Sequence, residues 1–302
     1  MLPPLDPARL TEALVAQGPF AGVTVVGRTG STNADLLEAA ATAPHLTALV
    51  AEHQTLGRGR HHPGEAVPRR WVAPPRSSLL VSVLLRPPSP PPSPPTLLPL
   101  AFALAAIRAV DLILPGRLAL KWPNDIVAPH PAVQFRQKVG GVLAALAPTG
   151  ELVIGLGLNV HQTSAQLADI SPPDAVRPPA PGRPALADAP EVAGADGGVP
   201  ADAPATSAAS LATLGAPDVD RTWLAIAYLA AAADQSERWA RGERGLVDGI
   251  VRRMETLGRQ VIARLPGGDV IRGTAQRLAG DGALMLVTGS GAIRRVDAAE
   301  VV

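Results

Sequence analysis

Short apolar runs, helical spacing and short runs again follow one another along the chain, and they divide it into a mixed first part and an all-strand end. Val23 to Gly27 is a β-branched run that predicts a strand. Gly30-Ser31-Thr32-Asn33-Ala34-Asp35 then turns into a helix whose apolar positions include Leu36, Leu37 and Ala40. Ser31 or Thr32 is placed to cap that helix, and the step from Thr32 to Asp35 resembles a capping box with Asp in the Glu position. Thr47 to His53 predicts a second strand and Leu79 to Leu85 a buried one, with a long loop between them that runs through His61, His62 and Pro63 to Arg69-Arg70-Trp71. A proline and serine linker over Pro87 to Pro95 separates the buried strand from an apolar helix at Leu97 to Leu114.

Leu118 to Leu120 leads as a strand into Lys121-Trp122-Pro123-Asn124-Asp125. Lys138 to Leu143 and Glu151 to Val160 read as two apolar strands joined at Pro148-Thr149-Gly150, an antiparallel hairpin with Lys138 and Asn159 at the same end. Residues 162 to 205 are rich in Pro, Ala, Gly and Asp and lack aromatics, so little could offset an ordering cost of about 1 to 2 kcal/mol per residue; they are expected to form a disordered insertion. Arg221 to Arg241 and Leu246 to Leu257 read as amphipathic helices. From Gly258 onward short strands at Arg259 to Leu265, Val270 to Leu278, Ala283 to Val287 and Ile293 to Val296 predict a small β-barrel. The division is therefore 1–257 and 258–302.

Composition narrows the classes. The 302 residues carry 27 basic and 26 acidic side chains, so no global positive field points to nucleic acid. Residues 1 to 20 are too short for a helix-turn-helix module. Absence of cysteine excludes disulfides and thiolate metal sites, no export leader is evident, and the most apolar stretch is broken by Arg108 and Asp111. A cytoplasmic chain without a membrane segment is the expectation. Lysine occurs only at 121 and 138, and asparagine only at 33, 124 and 159, in a chain saturated with Ala, Arg, Pro, Gly and Leu. In so biased a composition, surviving Lys and Asn mark positions where a compact point charge or a neutral donor-acceptor pair is needed.

The candidate chemistry is centred on Gln54-Thr55-Leu56-Gly57-Arg58-Gly59-Arg60. Glycine permits close backbone approach and arginine supplies a planar, permanently charged donor array, so the loop suits a phosphate or carboxylate. Ser31-Thr32-Asn33 places three polar side chains at a helix N-terminus, where a small polar ligand would be welcome. Lys121, Asn124 and Asp125 bring a cation, an amide and a carboxylate to a strand edge. The glycines at 140, 141, 155 and 157 thin two strands so that something flat can lie on the backbone. His61 and His62 lack partners at metal-ligand spacing.

Taken in order, Ser31-Thr32-Asn33, Gln54 with Gly57-Arg58-Gly59-Arg60, Lys121-Trp122-Pro123-Asn124-Asp125, Lys138 before Gly140-Gly141, and Gly155-Leu156-Gly157-Leu158-Asn159 closely resemble the biotin protein ligases. The resemblance spans about residues 23 to 160, and the strands after Gly258 fit the family's C-terminal domain. It implies an α+β fold: a mixed central sheet flanked by helices, of the class II synthetase-like biotin/lipoate ligase kind, with a small C-terminal Src-homology-3-like β-barrel. It implies a ligase of the type without a DNA-binding N-terminal domain. The implied reaction joins biotin and ATP, with magnesium, to biotinyl-5′-AMP, then moves biotin to a lysine of a carboxylase's biotin carboxyl carrier domain.

By the same resemblance, Ser31, Thr32, Asn33, Gln54, Gly57, Arg58, Gly59, Arg60, Lys138, Gly141, Gly155 and Gly157 would bind biotin. Arg60, Trp71, Lys121, Asn124, Lys138 and Asn159 would bind ATP, with magnesium held through the phosphates rather than in a protein-only site. Arg58, Arg60, Lys121, Lys138 and Asp125 would carry the catalysis, Asp125 orienting the acceptor lysine. The loop from Arg60 to Trp71 is longer than the family's usual Gly/Arg stretch and contains Pro63, Glu65 and Pro68. A lipoate or octanoate ligase or transferase of the same fold is the nearest rival, and a non-catalytic biotin sensor the rival of another class.

Overall fold

The computed structural model describes residues 2–60, 70–91, 93–129, 136–170, 208–266 and 268–301. After α1 (Pro7–Thr11), strands β1 (Gly22–Val26) and β2 (Thr47–Ala51) flank the short helix α2 (Thr32–Glu38), and β3 (Ser78–Leu85) follows. Helix α3 (Leu98–Asp111) precedes β4 (Ala119–Lys121), β5 (Asp125–Pro129), β6 (Arg136–Leu146) and β7 (Leu152–Asn159). These strands form one seven-stranded sheet in the order β1-β2-β3-β7-β6-β5-β4, parallel between β1 and β2 and antiparallel elsewhere. Next come α4 (Ser164–Ile170), α5 (Arg221–Ala240) and α6 (Gly245–Val251). The remaining strands, β8 (Gln260–Arg264), β9 (Val270–Leu278), β10 (Leu284–Val287), β11 (Ile293–Val296) and β12 (Glu300–Val301), make a second, antiparallel sheet.

Strand alternation decides what each face of the large sheet meets. Ala48, Val50, Val81, Val83, Ile154 and Leu156 point to the face covered by α3 and α5 and join the main core. Along α3 every residue from Leu98 to Val110 except Pro99 and Arg108 is buried, which is why the sequence reads as apolar all round. Leu49, Leu84 and Val153 point to the opposite face, where α2 covers part of the sheet with Leu36 and Ala40.

The C-terminal sheet shares the main core through Ala263, Ala275, Leu284 and Leu286, so the boundary expected at 257/258 does not divide two separate cores. Trp122 lies in this seam, 1% exposed, donating Nε1 to the Gly282 carbonyl at 2.9 Å, while its backbone N–H meets Thr256 Oγ1 at 2.9 Å.

Four local expectations change. No capping box forms: Ser31 is the N-cap without a side-chain bond, and Asp35 instead receives the hydroxyl of Thr29. Lys121 to Asp125 is a tight reversal pairing β4 with β5, not merely a strand end, and this register sets Lys121 opposite Asp125. The second amphipathic helix stops at Val251, because residues 253–255 turn back to satisfy the edge of β4, with Leu120 N–H to Arg253 O at 2.8 Å and Glu255 N–H to Leu120 O at 2.9 Å. The expectation of disorder over 162–205 fails at its start, since Gln162 is wholly buried and Ser164–Ile170 is helical; the remainder, from 171, lies outside the described residues. His61, His62 and most of the loop before Trp71 also lie outside them.

Candidate functional site

The open face of the large sheet carries a floor without side chains. Gly141 of β6 is paired with Gly157 of β7, and Leu143 with Gly155, so the three glycines share one face. Two of them, Gly155 and Gly157, could carry no more. A methyl group at Gly155 would come within 2.1 Å of Asn33 Oδ1, and one at Gly157 within 2.6 Å of Trp71 Cε2. Trp71 thus lies flat on Gly157, with its indole N–H buried and without a partner among the described residues.

A neutral polar cluster closes one end of this floor. The backbone N–H of Thr32, an otherwise unsatisfied donor in the first turn of α2, reaches Gln54 Oε1 at 2.8 Å, and Thr32 Oγ1 reaches the same oxygen at 3.0 Å. Ser82, wholly buried on β3, lies with its Oγ 2.7 Å from Thr32 Oγ1 and 2.5 Å from Asn33 Oδ1, its one hydroxyl proton serving one of the two. Asn33 Nδ2 donates to Leu143 O at 3.1 Å, tying α2 to β6. Ser31, Thr32 and Asn33 are all buried, and the last two serve this cluster, while Ser31 caps α2 without a side-chain bond. Gln54 is held from the other side by pairing of Thr29 with Gln54 as an isolated parallel bridge.

The Gly-Arg loop leaves this cluster directly. Trp71 N–H bonds Gly57 O at 2.9 Å, Arg70 reaches Thr55 O at 2.7 Å, and Arg58 pairs with Arg70 through the backbone, so both ends of the loop are clipped together. Gly57 is required there, because a methyl group would lie 2.5 Å from Trp71 O. Arg58 is exposed and its side chain has no partner among the described residues. Gly59 follows it, and Arg60 reaches the second sheet by donating to Ala299 O at 2.9 Å.

The opposite end of the floor is charged. Lys138 Nζ sits 2.6 Å from Asp125 Oδ1, with 44% and 24% of the two side chains exposed. Both groups lie over Gly141, where a methyl group would be 3.5 Å from Asp125 Oδ1 and 3.6 Å from Lys138 Nζ. Lys121 is partly buried on the neighbouring strand and forms no ion pair among the described residues. Asn124 Nδ2 donates to Val142 O at 2.8 Å, which leaves its Oδ1 open. Beside Asn124, Leu143 and Arg60 runs a groove of about 800 Å³, walled by Pro87, Pro99 and the edge of β6.

Asn159, like Asn33, uses its amide within the chain. It is 3% exposed, donates to Ala209 O at 3.1 Å and accepts from Gln162 at 2.9 Å, so its amide holds the returning chain in place. The sequence reading also passes over two functional supports. Ser82 is hidden in an apolar run, although a serine amid Leu and Val at the centre of a strand is itself a signal. Glu52 and Arg221 form a buried pair at 2.8 Å behind the loop, with Glu52 also accepting from the Leu5 N–H at 2.6 Å.

Among proteins of known kind, residues 25–159 match the Biotin/lipoate A/B protein ligase family and residues 256–302 match the Biotin protein ligase C terminal domain. The biotin--[acetyl-CoA-carboxylase] ligase of Mycobacterium tuberculosis is 32% identical over 293 residues, 95% of this chain and 91% of that protein. The fold is that of the biotin protein ligase from Aquifex aeolicus, solved in complex with biotin and ATP: TM-score 0.67 at 24% identity, over 94% of this chain and 98% of that one. The biotin protein ligase from Leishmania major, solved in complex with biotin, aligns with TM-score 0.52 at 26% identity, over 93% and 99% of the two chains. With this architecture, this order of motifs and a full-length relative, the chain belongs to the biotin protein ligase family.

Proposed function

We propose that this chain activates biotin with ATP to biotinyl-5′-AMP and transfers the biotinyl group to a lysine of a biotin carboxyl carrier domain. One observation carries the reading: glycines that seat Asn33 and Trp71 close against the sheet, with a neutral polar cluster at one end and the Lys138–Asp125 pair at the other. That asymmetry matches biotin, a neutral ureido ring joined by an apolar arm to a carboxylate. Thr32 and Gln54, with Ser31 and Asn33 beside them, face the ring; Gly141 leaves its backbone open to the ligand, while Gly57, Gly155 and Gly157 make room for Trp71 and Asn33, which line the site.

In the first step a biotin carboxylate oxygen attacks the α-phosphorus, the bond between the α-phosphorus and its bridging oxygen breaks, and pyrophosphate leaves. Two anions must approach, and like charges at about 4 Å repel by roughly 4 kcal/mol at an effective dielectric near 20. Lys138, Arg58 and Arg60 supply fixed positive charge where this occurs, with Lys121 nearby. Lys138 turns from Asp125 to the carboxylate or phosphate oxygens. In the second step the acceptor lysine amine attacks the acyl carbon, AMP leaves, and Asp125 orients the amine and takes its proton.

Magnesium bound with the phosphates would neutralise part of their charge. Among the described residues no three His, Asp or Glu side chains converge on a metal-binding position. Asn124 Oδ1 is the open oxygen donor, a hard ligand of the right kind, whereas Asn159 Oδ1 already accepts a bond from Gln162. We assign Asn159 to holding the wall beside the phosphates. Trp71 either floors the biotin site where it now lies or turns to stack on adenine. No helix among the described residues is long and apolar enough to cross a membrane, and the chain has no cysteine. The reading places the reaction in the cytoplasm and needs no nucleic-acid partner.

The test is pyrophosphate release from ATP and magnesium. Release that depends on biotin and not on lipoate or octanoate is expected; dependence on lipoate would transfer the chain to the rival ligase, and tight biotin binding without release would make it a sensor. A second measurement addresses the loop. Arg58→Ala is expected to keep the fold, since the side chain has no partner among the described residues, yet to release biotinyl-5′-AMP into solution about 10- to 100-fold faster, the loss of one charge-assisted contact. Unchanged retention of the intermediate would mean that Arg58 does not cover it.

A further inference from the structure

We infer that residues 2–5 strap the root of the Gly-Arg loop, and that Arg76 is the positioning residue through which the strap holds the biotin-facing ends of that loop in place. The inference rests on the biotin reading above and deepens it.

The loop leaves β2 at Glu52 and returns to β3 through Arg76, and one backbone bond closes its root: Arg76 N–H to Glu52 O at 2.8 Å. Inside that root lie Gln54 on the outgoing side and Trp71 on the returning side, where they meet Thr32 and Gly157. Both root residues reach the same short segment. Glu52 Oε1 accepts from the Leu5 N–H at 2.6 Å, a buried bond spanning 47 residues, and Arg76 Nη1 donates to Leu2 O at 3.4 Å. Arg221 secures the segment from behind, donating to Pro3 O at 2.8 Å while pairing with Glu52. Leu5 is 5% exposed and belongs to the main core, so the strap has a fixed end.

The residue type at position 76 points the same way. Ser77 N–H returns to Pro74 O at 3.2 Å, with Pro75 between them and Arg76 at φ +63°, the arrangement of a type II turn. The third position of that turn calls for glycine or asparagine, because a larger side chain in the left-handed region crowds the backbone. Among the described residues only Leu46 and Arg76 occupy this region without being glycine. Leu46 fills the main core, which Arg76 does not. An arginine kept at a glycine position against that strain has a use for its guanidinium. Among the described residues the guanidinium makes one hydrogen bond, the one to Leu2 O.

The strap acts on ring binding more than on the chemistry, because Lys138 keeps its place over Gly141 and Arg60 its anchor on Ala299 O. The experiment measures three quantities on the full chain: the biotin dissociation constant by calorimetry, kcat of biotin-dependent pyrophosphate release, and the thermal unfolding midpoint. Arg76→Gly removes the guanidinium and the strain together. It is expected to weaken biotin about 10-fold, with kcat changed less than about 3-fold and the midpoint unchanged or raised, so that stability and binding move apart. Arg76→Met keeps the strained backbone and the apolar stem, and should weaken biotin by a similar factor. In a chain that begins at Pro4, which lacks Leu2 and Pro3 but keeps Leu5, Arg76→Met should cost about 2-fold or less, the non-additivity of two ends of one contact. Wild-type affinity in Arg76→Met, or its full effect in the shortened chain, would overturn the strap. Weaker binding in Arg76→Gly that comes with a lowered midpoint would reduce Arg76 to a structural role and overturn it as well. Failure of the unaltered chain to bind biotin would instead strike the reading beneath and take this inference with it.

Discussion

Lys138→Gln is expected to slow biotin-dependent pyrophosphate release about 100- to 1000-fold while leaving the chain folded, the range seen when one preorganised charge or donor is removed from a developing anion. The substitution removes the charge while keeping a hydrogen-bond donor on a side chain one atom shorter. Its structural cost is small, because the Lys138–Asp125 pair is partly exposed, at 44% and 24% of the two side chains, and such pairs contribute little to stability. The loss should appear in the rate of the first step, with the biotin dissociation constant changing far less, because the ring contacts lie at the other end of the glycine floor. Lys138→Arg should not restore the rate: a planar fork cannot place a compact charge over Gly141, where the lysine amine sits 3.6 Å from the position of an added methyl. Equal losses in both variants place the requirement on the geometry of the ammonium, whereas wild-type rates in Lys138→Gln would remove Lys138 from the chemistry.

Arg221→Ala is expected to destabilise the fold by about 3 to 5 kcal/mol, since removing one partner of a buried pair strands the other charge. Glu52 and Arg221 are 9% and 3% exposed in their side chains and meet at 2.8 Å. Arg221 also donates to Ser78 O at 3.3 Å and to Pro3 O at 2.8 Å, which binds the first residues of α5, the end of β3 and the N-terminal segment together. Glu52 stands two residues before Gln54, so the same change should loosen the ureido end and weaken biotin. Urea unfolding followed by far-ultraviolet circular dichroism measures the first effect. A loss below about 1 kcal/mol, the size of an exposed pair, would show that solvent reaches the site.

The contrast between these two residues explains how far sequence alone carries. Lys138, Asp125, Ser31 to Asn33, Gln54 and the glycines were legible because each sits in a short segment whose composition is odd for its place: a rare lysine, three polar residues opening a helix, glycines in an apolar strand. The structure gathers them on one face because strand alternation puts Gly141, Gly155 and Gly157 together. Arg221 and Glu52 are ordinary in their own segments, and nothing local announces a contact across the fold. Ser82 was missed because a single hydroxyl does not disturb an apolar run, although its burial demands partners. The capping box failed because Gln54, 22 residues away, satisfies the Thr32 N–H that a neighbouring side chain would have served. The helix expected to Leu257 was cut short by the need of β4 for an edge partner, a tertiary demand that periodicity does not carry. Asn33 and Asn159 shared the rarity of the other three residues, yet the amides of both are occupied within the chain.

The central claim is that one floor serves both activation and transfer. Its most direct measurement is a single-turnover chase: the chain is loaded with biotin, ATP and magnesium, unreacted ATP is removed, and a biotin carboxyl carrier domain is added. The account predicts one pyrophosphate released per active chain before the acceptor is present, then one AMP released per biotin joined to a single acceptor lysine, with Asp125→Asn slowing only the second phase. Pyrophosphate release that requires the acceptor, or an Asp125→Asn chain slowed in the first phase alone, would contradict it.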